Sequence, residues 1–121
     1  MKVYLAGGLS CDWQDRVPAH WELLDPRSWQ DPDPAVYTER DLTAIRAADV
    51  VLAYMSSANP SGFGMSLEVG YAHALGKRVL FVDEIGGDWR SRYFGMHRSI
   101  CEVHTSLDAA IAALRDAPQT I

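Results

Sequence analysis

Gly62-Phe63-Gly64-Met65-Ser66-Leu67-Glu68-Val69-Gly70-Tyr71-Ala72-His73-Ala74-Leu75-Gly76-Lys77-Arg78-Val79-Leu80-Phe81-Val82 holds a turn, a helix and a buried strand in one run. A glycine-rich turn opens a helix that carries one carboxylate, Glu68, early in its length. Gly76 closes the helix, as glycine commonly does just past a last turn. The apolar run Val79–Val82 follows at once, and a second run, Val50-Val51-Leu52-Ala53-Tyr54-Met55, comes shortly before the turn. Continuous apolar runs of this length, bounded by turn residues, are strands covered on both faces. The unit is strand, loop, helix, strand, and in such units ligands bind at the carboxyl ends of the strands.

Working outward, Val3-Tyr4-Leu5-Ala6 is another short apolar run that stops at Gly7-Gly8, and it reads as a central strand. Asp12 to about Trp21 is expected as a short helix limited by Pro18. Glu22-Leu23-Leu24 reads as an edge strand ended by Asp25-Pro26, and Arg27 to Pro34 as a polar loop. Val36, Leu42, Ile45 and Ala48 predict a helix over Ala35–Ala48. Residues Trp89 to Arg98 mix aromatics and arginines around Gly95 and decide nothing. Ile100–His104 is expected as the last strand. Thr105-Ser106 then caps a helix in which Leu107, Ile111 and Leu114 face one way, to about Asp116. Strand and helix alternate throughout, which predicts an α/β doubly wound sheet of about five parallel strands. The expected strand order is 2-1-3-4-5, with helices on both faces. That order brings Tyr4–Gly8, Tyr54–Gly62 and Glu68 to one rim.

A chain of 121 residues is expected to form a single domain, residues 1–121, with a core that needs no staples. Acids number 16 against 11 Lys and Arg, for a net charge of −5. That balance argues against nucleic acid and membrane surfaces as partners, since both select basic patches. Cys11 and Cys101 match no metal or redox spacing. With neither a signal peptide nor a membrane-spanning run, the expected compartment is the cytoplasm, with both thiols reduced.

Glu68 is the first candidate for chemistry. Near a helix start the dipole favours the ionised carboxylate by about 0.3–1 kcal/mol, which suits a nucleophile or an electrostatic stabiliser of positive charge and not a general acid. Acids also occupy first turns for the dipole's sake alone. Asp41, early in its helix, and Asp49, at that helix's exit, are candidates for the second carboxylate that cleavage at an anomeric carbon needs. Asp49 reads more simply as a turn residue. Tyr4 places a hydroxyl in a buried strand, where it needs a hydrogen-bond partner, although plain core packing explains a tyrosine there as well. Gly7-Gly8 has room for a phosphate at its backbone amides, but neither G-x-G-x-x-G nor G-x-x-x-x-G-K-[ST] is present. His20, His73, His97 and His104 show no ligand spacing, so no metal is expected. Trp13, Trp21 and Trp29 are candidates to stack on a base, or to pack beneath loops.

Three blocks together resemble the nucleoside 2-deoxyribosyltransferase family. They are Val3-Tyr4-Leu5-Ala6-Gly7-Gly8, Arg40-Asp41-Leu42-Thr43-Ala44-Ile45-Arg46-Ala47-Ala48-Asp49-Val50-Val51-Leu52, and Gly64 to Lys77. The glutamate-bearing helix with its glycine spacing is the most specific of them. The resemblance implies a flavodoxin-like sheet and cleavage of the N-glycosidic bond of 2'-deoxynucleosides, with the deoxyribosyl group passed to another base. It also implies that no cofactor is needed. Glu68 matches the family's nucleophile, Asp41 the aspartate that assists proton transfer to the base, and Tyr4 the tyrosine that orients the nucleophile. Related members hydrolyse deoxynucleoside 5'-monophosphates, and a non-catalytic nucleotide-binding module is the alternative of a different class. Substrate binding is expected from Gly7, Gly8, Asn59, Ser61, Gly62 and Gly64. Gly62 stands where the family usually presents a polar group. A neighbouring subunit is implied to complete the site with about Met96 to Ser99, adding Arg98 and Ser99 and making a homodimer or higher homo-oligomer.

Overall fold

The computed structural model describes residues 1–57, 62–86 and 89–116. Strands β1 (Lys2–Gly7), β2 (Glu22–Leu24), β3 (Val50–Met55), β4 (Arg78–Asp83) and β5 (Glu102–His104) form one sheet. Its order is β2-β1-β3-β4-β5, and every pairing is parallel, as the alternation of elements predicts. The helices are α1 (Pro34–Ala47), α2 (Phe63–Ala74), α3 (Gly95–Ile100) and α4 (Leu107–Arg115).

The period of two along each strand divides the core into two layers. Tyr4, Ala6, Val51, Ala53, Val79 and Phe81 point to one face, where Ile45 and Ala48 at the end of α1 and Met65, Val69 and Ala72 of α2 cover them. Val3, Leu5, Val50, Leu52, Leu80 and Val82 point to the other face, against Trp13, Leu107, Ile111 and Leu114. Asp33 caps α1 by accepting from the Ala35 N–H at 2.9 Å, with Pro34 in the first helical position. Ser106 caps α4 by accepting from the Ala109 N–H at 3.1 Å.

Three local expectations are corrected. The expected helix over Asp12–Trp21 is only a 3₁₀-helix, Trp13–Arg16; it ends because Val17, held extended ahead of Pro18, cannot continue it. The expected loop after β2 contains a 3₁₀-helix, Pro26–Trp29, capped by Asp25, so proline opens an element there instead of only closing a strand. The ambiguous segment forms a 3₁₀-helix, Trp89–Phe94, followed by α3, which takes Ile100 from the expected fifth strand. Among the described residues no helix is long and apolar enough to cross a membrane.

Candidate active site

Tyr4 is fully buried in β1, next to β3 at the switch point of the sheet, and its ring faces α2. Its hydroxyl donates a hydrogen bond to Glu68 Oε2. Phe63 begins α2, so Glu68 lies in the second turn and not the first, beyond the strongest part of the helix dipole. The expectation of a carboxylate kept ionised by the dipole is therefore corrected. Burial pushes the Glu68 carboxyl up to about 7, with the Tyr4 hydroxyl working against the rise and the charge of Asp41 adding to it. Against an ordinary glutamate that is roughly 3 kcal/mol disfavouring the charge, several times the dipole's contribution. Burial and the nearby negative charge of Glu68 drive the Tyr4 hydroxyl far above its ordinary value, so it stays protonated and remains a donor.

Asp41 projects from α1 into the same cavity as Glu68, a space of about 710 Å³ above the rim of the sheet. Trp29 Nε1 donates to Asp41 Oδ1 at 2.7 Å. Burial raises the Asp41 carboxyl, and the indole N–H partly offsets the rise. Two carboxyls near one cavity, each pushed toward holding a proton, can supply a nucleophile and a proton donor. Among the described residues, no group of three His, Cys, Asp or Glu side chains is placed to hold a metal ion.

The glycines have distinct reasons. A Cβ on Gly62 would lie 2.9 Å from Met55 Sδ and 3.3 Å from the Phe94 ring, and its φ of 77° is strained for any other residue. Glycine stands there because no side chain fits. A Cβ on Gly7 would meet the Tyr54 carbonyl at 2.7 Å, so Gly7 lets β1 and Trp13 close against β3. The Gly8 carbonyl accepts from Trp13 Nε1 at 2.9 Å and Gln14 Nε2 at 3.0 Å, which pins the loop at the cavity edge. Gly7, Gly8, Gly62 and Gly64 all line the cavity. Asn59 and Ser61 lie outside the described residues.

Arg98 and Ser99 do not line the cavity of their own chain. Arg98 donates to Asp83 Oδ2 at 3.3 Å and to the Ser91 carbonyl at 2.8 Å, while Ser99 Oγ donates to the Gly95 carbonyl at 2.8 Å. Asp49 accepts from the backbone N–H of Lys2 at 2.7 Å, a structural role. His97 Nε2 lies 2.8 Å from Ser66 Oγ.

None of the three candidate tryptophans lines the cavity. Trp13 is buried and stacks on Tyr54 at 4.9 Å, and Trp21 sits against His20 at 4.7 Å. The aromatic residues that do line it are Tyr37 and Phe63, which the sequence reading passed over. Tyr37 lies four residues before Asp41 on α1, hence on the same helical face, a spacing that was open to detection.

The fold and site define an α/β protein with a carboxylate pair at the switch point of a parallel sheet. The chain belongs to the nucleoside 2-deoxyribosyltransferase family, whose sequence profile matches residues 15–100. No curated protein sequence matches it. Among solved structures it is similar to a 2-deoxyribosyltransferase from Bacillus psychrosaccharolyticus, with 19% identity and a TM-score of 0.73 over 92% of this chain and 90% of that one. A 2-desoxiribosyltransferase from Leishmania mexicana shares 23% identity and a TM-score of 0.74 over 97% of this chain and 99% of that one. A CMP N-glycosidase from Clostridium botulinum shares 22% identity and a TM-score of 0.56 over 95% of this chain and 98% of that one. At these identities the likeness concerns the fold.

Proposed function

We propose that this protein cleaves the N-glycosidic bond of 2'-deoxynucleosides and transfers the deoxyribosyl group to another base. The observation that carries the reading is the Tyr4 hydroxyl donating to Glu68 on the wall of a cavity that Asp41 shares. A Glu68 carboxylate oxygen bonds to C1', and the bond from C1' to the base nitrogen breaks. Its electron pair leaves with the base, which takes a proton from Asp41. Because the sugar lacks a 2'-hydroxyl, its oxocarbenium-like transition state is reached more easily, and no metal or cofactor is called for. The incoming base then attacks C1', returns its proton to Asp41 and frees Glu68, with net retention.

Among the described residues lining the cavity, the charged side chains are Asp41 and Glu68, both acids. An acidic cavity favours a neutral nucleoside over a 5'-monophosphate. The second reading, hydrolysis of a deoxynucleoside 5'-monophosphate, draws support from the CMP N-glycosidase among the structural neighbours. It requires a cation at the cavity, and Arg98 of a neighbouring copy is the candidate. A homo-oligomer is part of the proposal. Phe63, Leu67 and Met96 are 83%, 63% and 80% exposed on α2 and α3, an apolar surface that a second copy would cover.

The test is incubation with deoxynucleosides, with and without a second free base, followed by chromatography of the products. Exchange that requires the second base supports transfer, and free deoxyribose without it indicates hydrolysis. No turnover of any deoxynucleoside or its monophosphate defeats both readings. Full activity in a strictly monomeric protein defeats the oligomeric part.

A further inference from the structure

We infer that Trp29 is a positioning residue for Asp41, holding one carboxylate oxygen through its indole N–H and leaving the other to meet the ligand. The inference deepens the proposed function and rests on the role given there to Asp41. Trp29 donates from Nε1 to Asp41 Oδ1 at 2.7 Å, and no described residue hydrogen-bonds Oδ2. Asp41 lines the cavity and Trp29 does not, so the indole acts from behind the carboxylate. Its ring packs against the cluster that contains Tyr4, Ile45 and Met65. The residue just before Asp41 on α1 grips the same tryptophan, since Arg40 Nη1 donates to the Trp29 carbonyl at 3.1 Å.

The short helix that carries Trp29 is itself anchored. Asp25 caps it by accepting from the Arg27 N–H at 3.0 Å. The Arg27 side chain reaches Asp25 at 2.7 Å, Asp15 at 2.8 Å and Asp12 at 3.3 Å, tying this segment to the one that follows the Gly7-Gly8 loop. A donor on such a support can fix the rotation of a half-buried carboxylate, and a productive site needs its groups held to within about 0.5 Å.

The indole also biases the proton on Asp41. Burial favours the neutral carboxyl, whereas an N–H donor favours the anion. The other titratable or charged groups around Asp41 among the described residues are Glu68 on α2, Tyr4 on β1, Asp25 and Arg27 beside Trp29, and Tyr37 and Arg40 on α1 itself. Removing the indole N–H leaves all of them in place.

The test is a double-mutant cycle of the full chain: wild type, Trp29→Phe, Asp41→Asn and the double variant, assayed for base release from a deoxynucleoside across the acid-to-alkaline range. Trp29→Phe is expected to lower kcat roughly tenfold, the scale of one charge-assisted hydrogen bond, with little change in KM. It should also move the acid limb of the profile to higher pH. Added to Asp41→Asn, it should cost nothing further. Trp29→His, which keeps a ring N–H, should recover part of the loss, and Trp29→Leu, which lacks one, replaces the phenylalanine variant in the cycle if the latter does not fold. An equal loss in both backgrounds, or an unmoved acid limb, overturns the inference. If wild type releases no base, the proposed function has failed, and the inference is then decided by a carbon-13 NMR titration of the Asp41 carboxyl. Removal of the donor must raise that titration, and an unchanged titration overturns the inference.

Discussion

Replacing Tyr4 by Phe removes one hydroxyl from the least accessible part of the site and keeps the ring that fills the core. That hydroxyl donates to Glu68 Oε2 and opposes the burial that pushes the carboxyl up to about 7. A hydrogen bond to a charged group contributes about 1.5–3 kcal/mol. Its loss disfavours the Glu68 anion by that amount, raising the titration by about one to two pH units. Attack on C1' requires the anion, so turnover at neutral pH falls roughly 10- to 100-fold. The assay pairs initial rates of base release with a carbon-13 titration of the Glu68 carboxyl, and a thermal melt serves as the folding control. A folded Tyr4→Phe protein with an unmoved Glu68 titration and nearly full turnover would show that the Tyr4 hydroxyl does not hold the Glu68 anion.

Glu68→Gln should abolish turnover yet stabilise the protein in alkali. The Glu68 value is raised in the folded state, so its favourable contribution is complete below the unfolded value of 4.5 and is lost as pH rises through about 7. Chemical denaturation at pH 8 should therefore show Gln more stable by up to roughly 3 kcal/mol, with the gain gone by about pH 4.5. Glu68 and Asp41 titrate as a pair, and the proposed chemistry needs one proton on that pair. The pH–rate profile should thus be bell-shaped, with an alkaline limb near the Glu68 value of about 7. Asp41→Asn should lower kcat by about 100-fold and remove that limb, as seen in steady-state rates across pH. Gly62→Ala should destabilise by at least about 1–2 kcal/mol by denaturant titration, because a left-handed φ of 77° and Met55 Sδ at 2.9 Å both oppose a side chain.

The strands were legible because β1, β3 and β4 are apolar runs buried on both faces, a pattern that needs no knowledge of neighbours. The order of the sheet followed from alternation and handed crossovers, and it brought Tyr4 to Glu68 before any distance was known. The ionisation of Glu68 was not legible. It is a contest between a dipole that sequence position suggests and a burial that only packing around Tyr4 creates. Packing is one of the two roles the sequence offers for Trp29, and the ring does pack against the core. Its hydrogen bond to Asp41 was not legible, because the partner lies twelve residues away on another element and the bond exists only once both elements are docked. Gly62 looked like a missing polar group, but Met55 and Phe94, distant in sequence, occupy the space a side chain would take. The 3₁₀-helix Pro26–Trp29 was not legible because it is a single turn, set by one cap and one proline, without the periodic face that marks a longer helix.

The central claim is that Glu68 carries the deoxyribosyl group. Intact-mass spectrometry of protein quenched during turnover of a deoxynucleoside tests it directly. The expected result is a mass increase of one deoxyribosyl group, located on the peptide that contains Glu68, discharged by a second base and absent from Glu68→Gln. Turnover with no adduct under any quench, or an adduct that persists in Glu68→Gln, contradicts it.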